Sequence, residues 1–267
     1  DFVAAVANML RRGPRFFVLG VKHALALPRE EDPDVRPRGS FSMRGHSVGG
    51  FGSVATNRVI ATILGDLFHL KVQAYPFYGS EKKGLPTTYY LTVAEEPILA
   101  HSELTHVDFV PLNDVNAFHL GNPLTGIVEG GLLFIQSAKT DPAAIWAEIP
   151  EHARRFIVDK RIRVLALDTI RIARETTARP ELQQRMQGIV LLGVFLRATP
   201  FLRERRLAEA EVFEGVERSL RRFFGKRGEA VVHENLRAVR RGFREVIEIP
   251  TEVLAPVALA GSGGRCG

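Results

Sequence analysis

The sequence predicts an α/β fold: a Rossmann-like, mainly parallel sheet with helices on both faces, followed by a helical C-terminal portion. Three observations predict it. Between residues 41 and 167, short runs rich in β-branched and aromatic residues alternate with helical patterns. A Gly-rich turn, Gly49-Gly50-Phe51-Gly52, joins the first of these runs to a helix. Beyond residue 168 the strand pattern stops and helical periods continue.

The elements follow in chain order. Residues 15–20 are a short apolar burst ended by Gly20, compatible with a strand. Residues 28–39 hold three prolines and several charges, and read as a linker or extended arm. Phe41 to Gly45 fits a short strand, followed by a turn from His46 to Gly52. After Ser53 the rows Val59, Ile63, Leu67 and Ile60, Leu64, Phe68 mark one broad helical face. Lys71 to Tyr75 resumes as a strand, completing a β–turn–α–β unit. Further strands are expected at Thr88–Val93, Val107–Leu112, Leu132–Gln136 and Val164–Leu167. Asp141-Pro142 is an N-cap with Pro at the first helical position, and Pro150 bounds the other end. Strands alternating with helices imply a sheet covered on both sides.

Leu182, Met186, Ile189 and Val190 open a helix that should end before Pro200. Val212, Val216, Leu220 and Phe224 repeat every four residues on a second. Val232, Leu236, Val239, Phe243 and Val246 give a third with a clear apolar stripe. Trp146 and Met186 fall at helical core positions and read as packing. One compact unit is expected rather than two separable domains.

Composition narrows the function. The 267 residues are 45% hydrophobic and 25% charged, with a mean hydropathy of zero, which suits a globular core. One cysteine, Cys266, can form neither an internal disulfide nor a four-Cys cluster, and points to a reducing, cytoplasmic location. The apolar run Ile189 to Leu196 falls far short of the ~20 residues of a membrane span. Asp1 precedes the first apolar stretch and Arg11-Arg12 follow it, the reverse of a secretion signal. With no initiator Met, Asp1 reads as an internal residue of a longer polypeptide or as a processed end. Residues 151–267 carry 23 Lys+Arg against 15 Asp+Glu, a net of +8, whereas residues 1–150 carry 13 against 15, a net of −2. The basic half is compatible with an anionic partner, but amphipathic helices with Arg on their wet faces account for it more simply.

Glycines between a strand and a helix bring backbone N–H groups close to a phosphate at the helix N-terminus. A dinucleotide fingerprint would add G-x-G-x-x-G spacing and an acid at the end of the next strand; here the spacing differs and residues 71–75 hold no carboxylate. The loop from Tyr78 through Ser80, Lys82 and Lys83 to Pro86 is bounded by Gly and Pro. Its adjacent lysines could meet a phosphate, a diphosphate or an acidic surface, or could simply be solvated. His46 could brace the backbone or bond a ligand. The eight histidines show no metal-ligand spacing, and neither a nucleophile elbow nor a Walker-type loop is found. Arg218, Arg221, Arg222, Lys226 and Arg227 interleave with Glu209, Glu211, Glu214 and Glu217, which argues against nucleic acid.

In chain order, several segments resemble the gamma subunit, or fused gamma domain, of the pyruvate and other 2-oxoacid:ferredoxin oxidoreductases. They are residues 44–52 (RGHSVGGFG), 76–84 (PFYGSEKKG), 86–91 (PTTYYL), 96–98 (EPI), 107–110 (VDFV), 129–135 (EGGLLFI), 185–189 (RMQGI) and the pair Leu192-Gly193. Many members read G-x-G-G-Q-G, whereas Ser47 and Phe51 stand here in place of Gly and Gln. The resemblance implies an arm over residues 1–37, a gamma-type domain over 38–249 and a tail over 250–267. It implies an oxidoreductase that works in a complex. Thiamine diphosphate, Mg and 4Fe-4S clusters would sit in alpha, beta and ferredoxin-like delta modules, with ferredoxin or a similar acceptor. For this chain it implies a scaffolding and interface role with a share in the coenzyme A site, and no tightly bound cofactor of its own. Gly49, Gly50, Phe51, Gly52, Ser53, Tyr78, Ser80, Lys82 and Lys83 are the residues placed toward that site. A stand-alone Rossmann-like enzyme binding a nucleotide or other phosphorylated ligand is the alternative. Neither reading involves nucleic acid or a membrane.

Overall fold

The computed structural model of the chain describes residues 34–48, 53–77, 86–101, 103–113 and 116–254. Within them lie strands β1 (Phe41–Val48), β2 (Lys71–Phe77), β3 (Pro86–Ala94), β4 (Val107–Leu112), β5 (Ile127–Gln136), β6 (Arg163–Leu167) and β7 (Ile247–Glu248). They form one sheet in the order β2-β3-β1-β4-β5-β6-β7. Its parallel pairings are β1/β4, β4/β5 and β5/β6, while β3 and β7 run against the other five strands. The expected mainly parallel sheet is therefore present, with an antiparallel insertion at one side. Only eight residues separate β2 from β3, fewer than the dozen or more that a parallel crossover takes. The two-residue β7 has too few residues to leave a period-2 signal, so the sequence pattern past residue 168 does not reveal it.

The helices are α1 (Ser53–Phe68), α2 (Ala117–Leu120), α3 (Pro142–Glu148), α4 (Glu151–Asp159), α5 (Thr169–Thr176), α6 (Pro180–Ala198), α7 (Phe201–Glu204), α8 (Glu209–Phe224), α9 (Glu229–Glu245) and α10 (Thr251–Leu254). Successive strand residues alternate between two cores. Phe109, Leu132, Phe134, Leu165 and Leu167 pack with α1, α6, α8 and α9. Val110, Leu112, Leu133, Ile135, Val164 and Ala166 pack with α3 and α4. Both faces of the parallel strands are thus buried, as continuous apolar runs require. The second face changes character over β2, β3 and β1. There alternation places Gln73, Tyr75, Thr88, Tyr90, Thr92, Ser42, Arg44 and His46 on one side. The Tyr75 and Tyr90 rings stack across β2 and β3 at 5.0 Å.

The helical layer closes on the first face through near backbone contact. A Cβ on Gly193 would lie 2.0 Å from the Val239 carbonyl oxygen, and one on Gly242 2.1 Å from that of Val190. Only hydrogen fits at either position, so α6 and α9 cross at their closest through reciprocal glycines. Asp141 caps α3 by accepting from the Ala144 N–H at 2.8 Å, and α6 stops at Ala198 before Pro200, both as expected. Helix α1 ends with His69 in the left-handed region (φ 56°), and the Leu70 N–H bonds the Leu64 carbonyl. At the chain's entry Arg36, inside the expected arm, pairs with Asp108 at 2.6 Å. At its exit Val253 and Leu254 of α10 pack on the second core, beyond residue 249. The apolar burst at 15–20 lies outside the described residues.

Candidate functional site

Strands β1, β2, β4, β5 and β6 all end at one edge of the sheet. From β1 the chain leaves through α1 toward β2 at one side, and from β4 it continues toward β5 at the other. The crevice between β1 and β4 is therefore the point where connections diverge, the usual place for a ligand in an open α/β sheet. The Asn113 N–H closes this crevice by donating to the His46 carbonyl at 3.0 Å. Asn113 Nδ2 also reaches the Tyr89 hydroxyl at 3.4 Å. Tyr89 is wholly buried across from Gly45, whose missing side chain leaves room for the ring: a Cβ there would lie 1.9 Å from Tyr89 Cζ.

The segments singled out in the sequence converge here through their anchors. Val48, the last residue of β1, is paired with Pro86, the first of β3. Phe77, the last residue of β2, is paired with Thr88. The ends of β1 and β2 thus flank the start of β3, with strand spacing setting them about 10 Å apart. Gly49, Gly50, Phe51 and Gly52, like Tyr78, Ser80, Lys82 and Lys83, lie outside the described residues. Ser53 is described: it opens α1 and is buried. His46 and Ser47 belong to β1 rather than to the expected turn. Pairing on both sides, with β3 and β4, holds them extended and outweighs the turn propensity of the following glycines.

Several buried polar atoms at this end lack hydrogen-bond partners among the described residues: His46 Nε2, Ser47 Oγ and Asn57 Oδ1. Such atoms cost free energy unless something meets them. Asn57, on α1, does donate through Nδ2 to the Tyr90 carbonyl at 2.9 Å. Burial, helped by the nearby Arg44 charge, pushes the His46 imidazole down to about 4. It is therefore neutral near pH 7, with one ring nitrogen free to donate and the other to accept. Arg44 is 8% exposed and carries no carboxylate partner among the described residues. It donates instead to the carbonyls of Leu104, Pro123 and Thr125, pinning two connecting segments over the sheet face. Burial lowers its pKa from the ordinary value. Burial also pushes Tyr75 up to about 12, with the Tyr90 and Glu103 charges adding to the shift. The edge thus offers neutral hydrogen-bonding groups, and the N–H groups opening α1 supply partial positive charge.

Arg44, Ser47, Asn57, Tyr89 and Asn113 were not legible as site residues. The Gly45–Tyr89 pairing was the one available clue, because a Gly inside a strand signals close approach by a neighbour. Among the described residues, no group of three His, Cys, Asp or Glu could hold a metal ion, and no helix is long and apolar enough to cross a membrane.

Comparison with known proteins adds a family context. The model of the family "Pyruvate ferredoxin/flavodoxin oxidoreductase" matches residues 42–245. The pyruvate:ferredoxin oxidoreductase of Moorella thermoacetica is 25% identical over 224 residues, which are 84% of this chain and 18% of that protein. The chain thus spans less than a fifth of the length of that relative. The pyruvate oxidoreductase subunit PORC of Thermotoga maritima is similar in fold, with a TM-score of 0.56 at 21% identity over 79% of this chain and 99% of that one. A 2-oxoglutarate:ferredoxin oxidoreductase from Magnetococcus marinus, solved with 2-oxoglutarate, coenzyme A and succinyl-CoA bound, matches with a TM-score of 0.53 at 18% identity. That match covers 77% of this chain and 31% of the other.

Proposed function

This chain belongs to the pyruvate ferredoxin/flavodoxin oxidoreductase family, and from that premise we propose that it is the gamma-type module of a 2-oxoacid:ferredoxin oxidoreductase. In this reading the module acts with alpha, beta and delta modules in the oxidative decarboxylation of a 2-oxoacid to its acyl-CoA. It holds the assembly together and forms part of the coenzyme A site. One observation carries the second of these roles. The Gly turn follows the end of β1, at the β1/β4 divergence point, and the basic loop precedes the start of β3, the strand paired beside that end. Support also comes from the Magnetococcus enzyme, which resembles this chain in fold and was solved with coenzyme A bound.

Coenzyme A carries a diphosphate and a further phosphate. Lys82 and Lys83 suit it as compact point charges, and the Gly49–Gly52 turn suits it by permitting close backbone approach. Ser53 stands at the N-terminus of α1, where partial positive charge favours an anion. A neutral His46 adds no charge toward the diphosphate, but it leaves a hydrogen-bonding ring available beside the turn. In this reading thiamine diphosphate and the clusters belong to the partner modules, since this chain's one cysteine cannot supply the thiolates a cluster takes. In this reading those groups supply the redox and decarboxylation chemistry from the partner modules.

The test is reconstitution. Alpha, beta and delta modules are combined with and without this chain, and 2-oxoacid-dependent acyl-CoA formation is followed. The proposal expects a stable complex and activity only when the chain is present. Full activity without it, or failure of the chain to join any complex, would refute the reading.

A further inference from the structure

Seven of the sixteen arginines between residues 169 and 245 have carboxylate partners among the described residues. Arg171 and Arg241 share Glu175 and Glu245 at 2.5–3.2 Å. Arg221 pairs with Glu217 and Glu229, Arg222 with Asp66, Arg244 with Glu209 and Arg179 with Glu234. These pairs account for much of the basic balance of the C-terminal half as ordinary solvated helix faces.

Of the remaining nine, two on α9 lie on one stripe and are fixed by other contacts. His233, Arg237, Arg240 and Arg244 are exposed at spacings of four, three and four, a single stripe along the helix. Arg237 and Arg240 have no carboxylate partner among the described residues, yet both are held in place. Arg237 donates to the Thr176 carbonyl at 2.5 Å. The Arg240 guanidinium lies over the Phe213 ring, 5.1 Å from its centroid. Stacking occupies the flat face of a guanidinium and leaves its N–H edge directed outward, the edge that takes a carboxylate in bidentate fashion. Holding both side chains in advance also reduces the rotamer entropy lost on docking. The two flank an open groove of about 720 Å³, with Leu236 among its lining and Glu217 and Glu245 on its rim.

We propose that this α9 stripe is a docking surface for an acidic protein partner, with Arg237 and Arg240 receiving two carboxylates about one helical turn apart. Charge complementarity selects the occupant. A pair of carboxylates at that spacing meets the two fixed guanidiniums that carry no carboxylate among the described residues, each at its N–H edge. The stripe lies on α9, within the helical layer, and is separate from the β1/β4 edge in role. The proposal rests on the module reading only in taking other modules of the enzyme as the source of the partner.

The experiment measures the affinity of the full chain for its partner modules across a range of salt concentrations. It compares the parent, Arg237→Glu/Arg240→Glu, and a control, Arg218→Glu/Lys226→Glu, that changes the net charge equally elsewhere on the surface. Circular dichroism and melting confirm that each variant is folded. The expected result is a loss of about a hundredfold for the stripe variant, roughly tenfold per pair, against no more than about threefold for the control. The stripe variant should also show a shallower salt dependence. Equal losses in both variants, or none in either, would overturn the proposal while leaving the module reading standing. A parent chain that joins no module would overturn both. Binding to duplex DNA or phosphatidylserine vesicles that the stripe variant abolishes, with partner affinity unchanged, would reassign the surface and also overturn it.

Discussion

The helical layer and the C-terminal edge of the sheet are built to different standards. In the layer, α6 and α9 meet through glycines with no space left over, and ion pairs such as Arg171–Glu245, Arg241–Glu175 and Arg244–Glu209 tie neighbouring helices together. At the edge, among the described residues, His46, Ser47 and Asn57 keep buried polar atoms without partners, and Arg44 is buried without a bonded counter-charge. Folding alone explains the first region. The second carries costs that a purely structural element would be expected to shed, and such costs concentrate where a protein meets something else. Residues that maintain the fold are thereby separated from residues available for function.

Substitution in the layer should have the largest effect on stability. Gly193→Val or Gly242→Val would drive a side chain into a facing carbonyl, forcing α6 and α9 apart. Either should cost about 4 kcal/mol or more in urea unfolding, enough to leave little folded protein. Tolerance of valine at both positions would mean that the layer is less tightly closed than its geometry states.

A smaller, pH-dependent effect belongs to the edge. His46 is held near 4 when folded against an ordinary value of 6.5. The unfolded chain therefore binds this proton more readily, so the contribution is fully present above about pH 6.5 and is lost as pH falls toward 4. Across that window stability should drop by roughly 3 kcal/mol on account of His46. Unfolding of His46→Gln, measured at several pH values, should show a correspondingly flatter slope. An unchanged slope would place the titration elsewhere.

The smallest effect is a gain. His69 closes α1 in the left-handed region, where glycine is at ease and histidine is not. His69→Gly should stabilise the chain by about 1 kcal/mol. A loss instead would indicate that the His69 ring makes a contribution that outweighs backbone relief.

Legibility in the sequence followed the same division. Elements governed by local periodicity were readable: the two rows on α1, the Asp141-Pro142 cap, the stop before Pro200 and the stripes of α8 and α9. What depended on pairing across the sheet was not. The extension of β1 through His46 and Ser47 needs β3 and β4 on either side. The reversal of β3 lies in its pairing with β1 and β2, which no local period records. The Gly turn and basic loop were found as motifs, but the neighbours at the edge they leave from, Tyr89 and Asn113, are brought close only by the folded sheet. Arg237 and Arg240 looked like any other wet-face arginines until their contacts with the Thr176 carbonyl and the Phe213 ring were in view.

The central claim is that the edge, through the basic loop, forms part of a coenzyme A site. The most direct test is the coenzyme A Michaelis constant of the assembled enzyme carrying Lys82→Ala/Lys83→Ala, with subunit composition checked alongside. Losing two phosphate-directed charges should raise that constant about tenfold or more, with the complex intact. An unchanged Michaelis constant in an unchanged complex would contradict the account.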